Sequence, residues 1–310
     1  MLTPMQLFRY NMFWKGVITW NEQRKIKYLK PGMEAQRQHV MKALGRSHDL
    51  SSRMDDCGTT DDHGNMKLCG VPLCPRCFMD RRRRETAQAV RGTFAGATND
   101  QMCFCTVLAE VTTDLAKAAD IIEKDKRRII NMVSSMRRKD ARWKEVHLTG
   151  WWEMDRIAAV DVASLGRNSR IALEQLGAPV LALADTTVWR PHLHAIVALG
   201  SVTSSEFAAA LRDYGHSAAY QVDVQPFHSS KSVGKNISAV VRYSLKFRVE
   251  SDYKAPAAFV YDELEDEKRF IFSERQWWPD KDIKAYAEWL CMQRRGFQSL
   301  RFKIGKSKTT

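Results

Sequence analysis

Trp189-Arg-Pro-His192-Leu-His194-Ala-Ile-Val-Ala-Leu199 is the stretch that decides how this chain folds. After the proline it is almost wholly apolar apart from two histidines, which reads as a strand. Alternate side chains of a strand share a face, so His192 and His194 project together while Leu193 and Ala195 turn to the core. Two imidazoles one pleat apart can ligate one divalent ion and leave positions open for a substrate oxygen. Two satisfied structural histidines are the other reading of the same pair.

Working outward, Met102-Cys-Phe-Cys-Thr-Val-Leu-Ala and Glu145-Val-His-Leu-Thr-Gly-Trp-Trp-Glu-Met read as strands upstream. Between them, residues Thr113 to Lys139 carry a helical apolar face at Leu115, Ala118, Ile122, Ile129, Met132, Val133 and Met136. A further strand is expected at Val180-Leu-Ala-Leu-Ala, and a short helix at Ile171 to Leu176. Downstream follow a helix from Ser204 to Asp213, a strand from Ala219 to Val224, and a helix from Asn236 to about Phe247. The tail carries Trp277-Trp278-Pro279 and a helix from Asp282 into Arg294. This mixture predicts an α+β or α/β domain over roughly 96–250. On the helix that ends it, Tyr243 and Lys246 stand three apart and share a face, as a nucleophile and a charge partner would. A half-buried tyrosine beside a solvated lysine is the plainer alternative.

Four cysteines fall before this domain: Cys57, Cys69, Cys74 and Cys77, the last three in C-G-V-P-L-C-P-R-C. Four thiolates suffice for a closed tetrahedral zinc site, and Pro72 and Pro75 stiffen the turn that aims them. Such a site leaves no place for water and would hold structure. His63, inside the loop, is the substitute if one thiolate drops out. Cys103, Cys105 and Cys291 read as core thiols. The cluster runs into Arg81-Arg82-Arg83-Arg84, which wrap around a helix either as a solvated face or as DNA phosphate contacts.

The 310 residues carry 49 Lys+Arg against 36 Asp+Glu, a formal charge of +13, which points to a polyanionic partner and to nucleic acid first. No run approaches the ~18 apolar residues of a membrane helix. MLTPMQLFRYNMFWKG lacks the pattern of a secretory signal. Gly305-Lys306-Ser307 resembles the end of a phosphate-binding loop, but Leu300 stands where its first glycine is needed.

The ordered set resembles the HUH endonucleases, and more narrowly the replication initiators of rolling-circle plasmids. Phe104-Cys-Thr106-Val-Leu108 approximates their F-x-T-L strand. His192 and His194 match their His-hydrophobic-His strand, Tyr243 and Lys246 their Tyr-x-x-Lys helix, and Cys57, Cys69, Cys74, Pro75 and Cys77 the Cys element of one plasmid subgroup. The resemblance spans about residues 57–250, and Arg294-Arg-Gly-Phe-Gln-Ser-Leu-Arg-Phe looks like the usual end.

It implies a central antiparallel sheet flanked by helices, an RRM-like palm, with an N-terminal zinc module. The expected segments are 1–56 (basic), 57–95 (zinc module and basic helix), 96–250 (endonuclease) and 251–310 (extension). It also implies Mg²⁺ or Mn²⁺ held by His192, His194 and Glu153, with Asp155 the less favoured third ligand. Tyr243 would attack a DNA strand and Lys246 would stabilise phosphate charge. Ala239 stands where some relatives carry a glutamate one turn before the nucleophile, and the Glu153–His192 insertion is long for the family. The implied partners are single-stranded or hairpin origin DNA, a host helicase and a single-strand-binding protein, in a bacterial cytoplasm and without a membrane. Trp151, Trp152 and Trp189 are either core or base-stacking residues. The alternatives are a transposase or single-stranded phage initiator with the same site, a zinc-containing DNA-binding protein without catalysis, and a metal-dependent hydrolase using water.

Overall fold

The computed structural model describes residues 31–59, 61–63, 65–179, 186–245, 249–250, 258–262, 267–271, 277–293 and 296–305. Lys246, the expected strand at 180–184, and residues 1–30 lie outside them. The chain forms two compact units. One ends at Arg81 and includes Pro279–Ala287, and the other comprises Arg82–Trp278 with Glu288–Thr310.

The first unit contains helix α1 (Pro31–Leu44), helix α2 (Asp49–Asp55) and the cysteine segment. His48 caps α2 by accepting from the Leu50 N–H through Nδ1 at 3.2 Å. After Cys57 the chain doubles back on itself, with the Gly58 N–H on the Lys67 carbonyl and the Lys67 N–H on the Thr59 carbonyl, both 2.8 Å. That return brings Cys69 beside Cys57. A turn closed by the Cys74 N–H on the Val71 carbonyl (3.0 Å) then delivers Pro75 to the first position of helix α3 (Pro75–Gln88). Proline suits that position because its φ is helical and its missing N–H would have no partner there.

The second unit is built on a five-stranded sheet in which every pairing is antiparallel. Its strands are β1 (Met102–Leu108), β2 (His147–Ala158), β3 (Thr187–Ala198), β4 (Val222–Pro226) and β7 (Arg301–Ile304), in the order β4-β1-β3-β2-β7. Helix α4 (Ala118–Lys139) connects β1 to β2, and α6 (Ser204–Asp213) connects β3 to β4. The chain thus runs β-α-β-β-α-β, apart from the small helix α5 (Arg167–Gln175) between β2 and β3. The separate hairpin of β5 (Ala258–Asp262) and β6 (Glu267–Ile271) pairs only with itself.

Pleat parity explains the layers. Cys103, Cys105 and Val107 on β1, Leu193, Ala195 and Val197 on β3, and Leu148 on β2 share one face, and all are buried. Helices α4 and α6 bury Ile122, Ile129, Met132, Val133, Phe207 and Leu211, with Trp143 stacked on Phe207 at 5.9 Å. At about 25 cal/mol per Å² of apolar surface removed from water, such burial is the main stabilising contribution. Helix α7 (Val233–Ser244) packs on β2 and β3, burying Asn236, Ile237, Val241 and Ser244. Helix α8 (Asp280–Met292) follows Trp278. No helix among the described residues is long and apolar enough to cross a membrane.

Gly150 shows why local sequence matters to this sheet. A Cβ there would stand 2.8 Å from the Ala195 Cβ, the His194 carbonyl oxygen and Leu193 Cδ1. The close approach of β2 to β3 beside His194 therefore needs the hydrogen side chain.

Candidate active site

The histidine pair sits at the centre of the sheet, on β3 between β1 and β2. The register places Glu153 of β2 directly opposite His192, and Thr106 of β1 directly opposite His194. All four side chains share the sheet face opposite to Leu193 and Ala195, as the alternation predicts. Glu153, His192 and His194 are buried, and one ligand atom from each lies within 4.8 Å of the others. The His192 Nε2 to Glu153 Oε2 distance is 3.4 Å and His194 Nε2 to the same oxygen is 3.7 Å. These exceed a good hydrogen bond but suit an ion between them. Ligand atoms ~2.1 Å from a shared cation are separated by about 3.0–3.5 Å.

The ring nitrogens facing away from Glu153 have their own partners. His192 Nδ1 lies 3.2 Å from the Arg190 carbonyl oxygen, which can only accept, so Nδ1 carries the proton and Nε2 offers its lone pair. His194 Nδ1 lies 3.0 Å from Thr106 Oγ1. With that hydroxyl accepting from Nδ1–H, the second Nε2 is also a ligand. Asp155, the other carboxylate on this edge, pairs with Arg190 and stands 3.7 Å from His192 Nδ1. It faces the proton-bearing side of the ring, so the ligand set of the described residues closes on Glu153. Two imidazoles and one carboxylate leave part of a coordination shell open to substrate.

Tyr243 reaches the same place from above the sheet. Its ring centroid is 4.9 Å from that of His194 and 5.8 Å from that of Phe104, edge-on in both cases, while 44% of the residue remains accessible. Phe104 itself lies 5.4 Å from His194. The structure thus brings Tyr243, His194, His192 and Glu153 together. Trp151, Trp152 and Trp189 are 1%, 2% and 3% exposed. They are core residues, and base stacking on them is ruled out by burial.

The cysteine cluster forms within the first unit. Cys57 and Cys77 sulfurs are 3.7 Å apart, Cys69 and Cys77 3.6 Å, and Cys57 and Cys74 3.5 Å. A tetrahedron with Zn–S bonds of ~2.3 Å has edges of about 3.8 Å, whereas a disulfide needs ~2.05 Å. The four thiols therefore form a set that can hold a metal such as zinc. The thiols of Cys69, Cys74 and Cys77 hold Cys57 below the usual thiol range. Cys57, with burial adding, pushes Cys74 above it. The Gly70 N–H donates to the Cys77 sulfur at 3.3 Å, as amides do to metal-bound thiolates. His63 is exposed and stands outside the cluster, so four sulfurs suffice without the substitute.

Arg81–Arg84 lie on α3, with Arg83 and Arg84 exposed and Arg81 and Arg82 half-buried. Sequence reasoning missed Thr106 as the partner of His194 and Arg190 as the partner of Asp155. Each depends on a strand register that no local pattern encodes. Comparison with family models, with curated proteins and with solved structures found no match for this chain.

Proposed function

We propose that this protein is a metal-dependent DNA nicking and joining enzyme of the HUH type, acting as a rolling-circle replication initiator. One observation carries the reading: a half-exposed tyrosine ring packed against a histidine of a buried Glu-His-His set on an antiparallel sheet. The strand order β4-β1-β3-β2 with two crossing helices supports it, being the split β-α-β arrangement that an RRM-like palm uses. The +13 charge supports a polyanionic substrate. The sulfur geometry supports zinc as a structural ion beside Mg²⁺ or Mn²⁺ at Glu153, His192 and His194.

When bound, the divalent ion would polarise the scissile phosphate and neutralise its charge. The chain's own residues do the rest. Glu153 and the two Nε2 atoms hold the ion, and Thr106 and the Arg190 carbonyl fix the two ring tautomers. Tyr243 Oη attacks phosphorus as its proton leaves to solvent. The Oη–P bond forms, the P–O3′ bond breaks, and its electron pair leaves on O3′, which takes up a proton. The 3′ hydroxyl can prime synthesis, and attack by a 3′ hydroxyl on the phosphotyrosine reverses the step and rejoins a strand. Phosphoryl transfer of this kind is mostly positioning and charge stabilisation. Lys246, outside the described residues, is the proposed charge partner.

Incubation of the protein with Mn²⁺ and a panel of labelled single strands and hairpins tests the reading. A protein–DNA adduct that resists denaturation, and that Tyr243→Phe abolishes, is the expected result. Cleavage that persists in Tyr243→Phe without an adduct would favour a hydrolase that uses water.

A further inference from the structure

Asn236 is 3% exposed and shares the buried side of α7 with Ile237 and Val241, where an amide is costly unless its hydrogens find acceptors. Nδ2 donates both of them, one to Asn99 Oδ1 and one to the His228 carbonyl, each at 2.9 Å. Asn99 Nδ2 in turn donates to the Lys231 carbonyl at 2.7 Å. Backbone carbonyls can only accept, so the orientation of both amides is fixed, and Asn99 Oδ1 is left to receive the second Asn236 hydrogen. The groups joined in this way come from different elements. Asn99 stands three residues before β1, the strand that carries Phe104 and Thr106. His228 and Lys231 lie in the loop that leads from β4 into α7. Asn236 is seven residues before Tyr243, two helical turns less about 20°, so both side chains leave the same face of α7.

Ile237 and Val241 hold that face down by burial, which has no preferred angle. The side-chain bonds of Arg242 and Ser244 end on the Ser238 and Val240 carbonyls of α7 itself and fix nothing outside it. The Asn236 bonds are directional and reach outside the helix. We infer that Asn236 is a positioning residue: with Asn99 it sets the rotation of α7 about its axis and so aims Tyr243 at His194. Side chains lie ~5–6 Å from a helix axis, so a turn of about 10–20° moves a ring by about 1–2 Å. A misplacement of about 1 Å can cost ~100-fold in a reaction that depends on alignment. The consequence for turnover rests on the nicking reading above; the aiming of the ring does not.

The experiment incorporates 3-fluorotyrosine into the full chain and assigns the Tyr243 fluorine resonance by its absence in Tyr243→Phe. In the parent the edge-on rings of His194 (4.9 Å) and Phe104 (5.8 Å) set its chemical shift. Asn236→Leu keeps the bulk and removes both donated hydrogens. It is expected to move that resonance towards its value in the urea-unfolded chain, with circular dichroism and Mn²⁺ affinity as in the parent. Asn99→Ala removes one of the two bonds at a half-buried position and is expected to shift the resonance the same way by less, which covers the case that Asn236→Leu does not fold. Asn99→Asp keeps the acceptor facing Asn236 and is expected to leave the resonance where the parent has it. On a strand that the parent nicks, Asn236→Leu lowers kcat about 10–100-fold and leaves KM as it was. A parental resonance in Asn236→Leu or in Asn99→Ala overturns the inference. So does a shift accompanied by an equal loss of Mn²⁺ affinity, the mark of a site that has come apart and not turned. If the resonance moves as expected but the parent nicks no strand, the nicking reading fails and the aiming role stands.

Discussion

Replacing Thr106 by valine keeps the shape of the side chain and removes the oxygen that faces His194 Nδ1 at 3.0 Å. His194 is 3% exposed, so water cannot readily take the place of that hydroxyl. A buried N–H left without an acceptor costs about 1–3 kcal/mol. The ring can avoid the cost by moving its proton to Nε2, but that closes the lone pair facing Glu153. Either route weakens the ion site. Loss of such an outer hydrogen bond typically costs about 10–100-fold in metal affinity, equivalent to about 1.4–2.8 kcal/mol. The assay is Mn²⁺ titration of the full chain, followed by electron paramagnetic resonance of the free ion. Thr106→Val is expected to bind Mn²⁺ about 10–100-fold more weakly, while Thr106→Ser, which restores the oxygen, binds as the parent does. Equal Mn²⁺ affinity in the parent and Thr106→Val would refute the tautomer argument.

Gly150→Ala forces a methyl to 2.8 Å from the His194 carbonyl oxygen and is expected to destabilise the protein by about 1–3 kcal/mol in urea unfolding, with weaker Mn²⁺ binding. Cys74→Ser is expected to lower the zinc measured by atomic absorption and to reduce the thermal stability of the first unit, since a structural thiolate site contributes its binding energy to folding. Cys103 and Cys105 are buried as expected of core thiols, but Cys291 is exposed, so a thiol reagent at pH 8 should label Cys291 quickly and leave Cys103, pushed up to about 12 by burial, unlabelled until the protein unfolds. Glu206, which caps α6, is held down to about 2 by the Thr203 N–H, then by Arg142 and the Thr203 hydroxyl. Its folded-state pKa lies below the usual carboxylate range. Its contribution is therefore full above that range and is lost as the pH falls from about 4.5 towards 2. Glu206→Gln should flatten the pH dependence of the melting temperature in that window.

The parts of the site that follow from short periods in the chain are legible in the sequence alone. The i, i+2 spacing of His192 and His194 sets a shared face, and the C-x4-C-x2-C spacing with its two prolines sets a thiolate cluster. Glu153 as the third ligand rested on resemblance, because its position opposite His192 depends on how β2 registers against β3 across an intervening segment of about forty residues. Thr106 and Arg190 act through the same register and were invisible for the same reason. The edge strand Arg301–Ile304 was not expected, since four residues are too short for a two-residue period to stand out.

The most direct test of the central claim is to digest the protein after reaction with Mn²⁺ and a cleavable single strand and to locate the modified peptide by mass spectrometry. The account predicts a nucleotide joined through its 5′ phosphate to Tyr243, with a free 3′ hydroxyl on the released fragment. Cleaved DNA with no nucleotide on Tyr243, or a nucleotide on another residue, would contradict it.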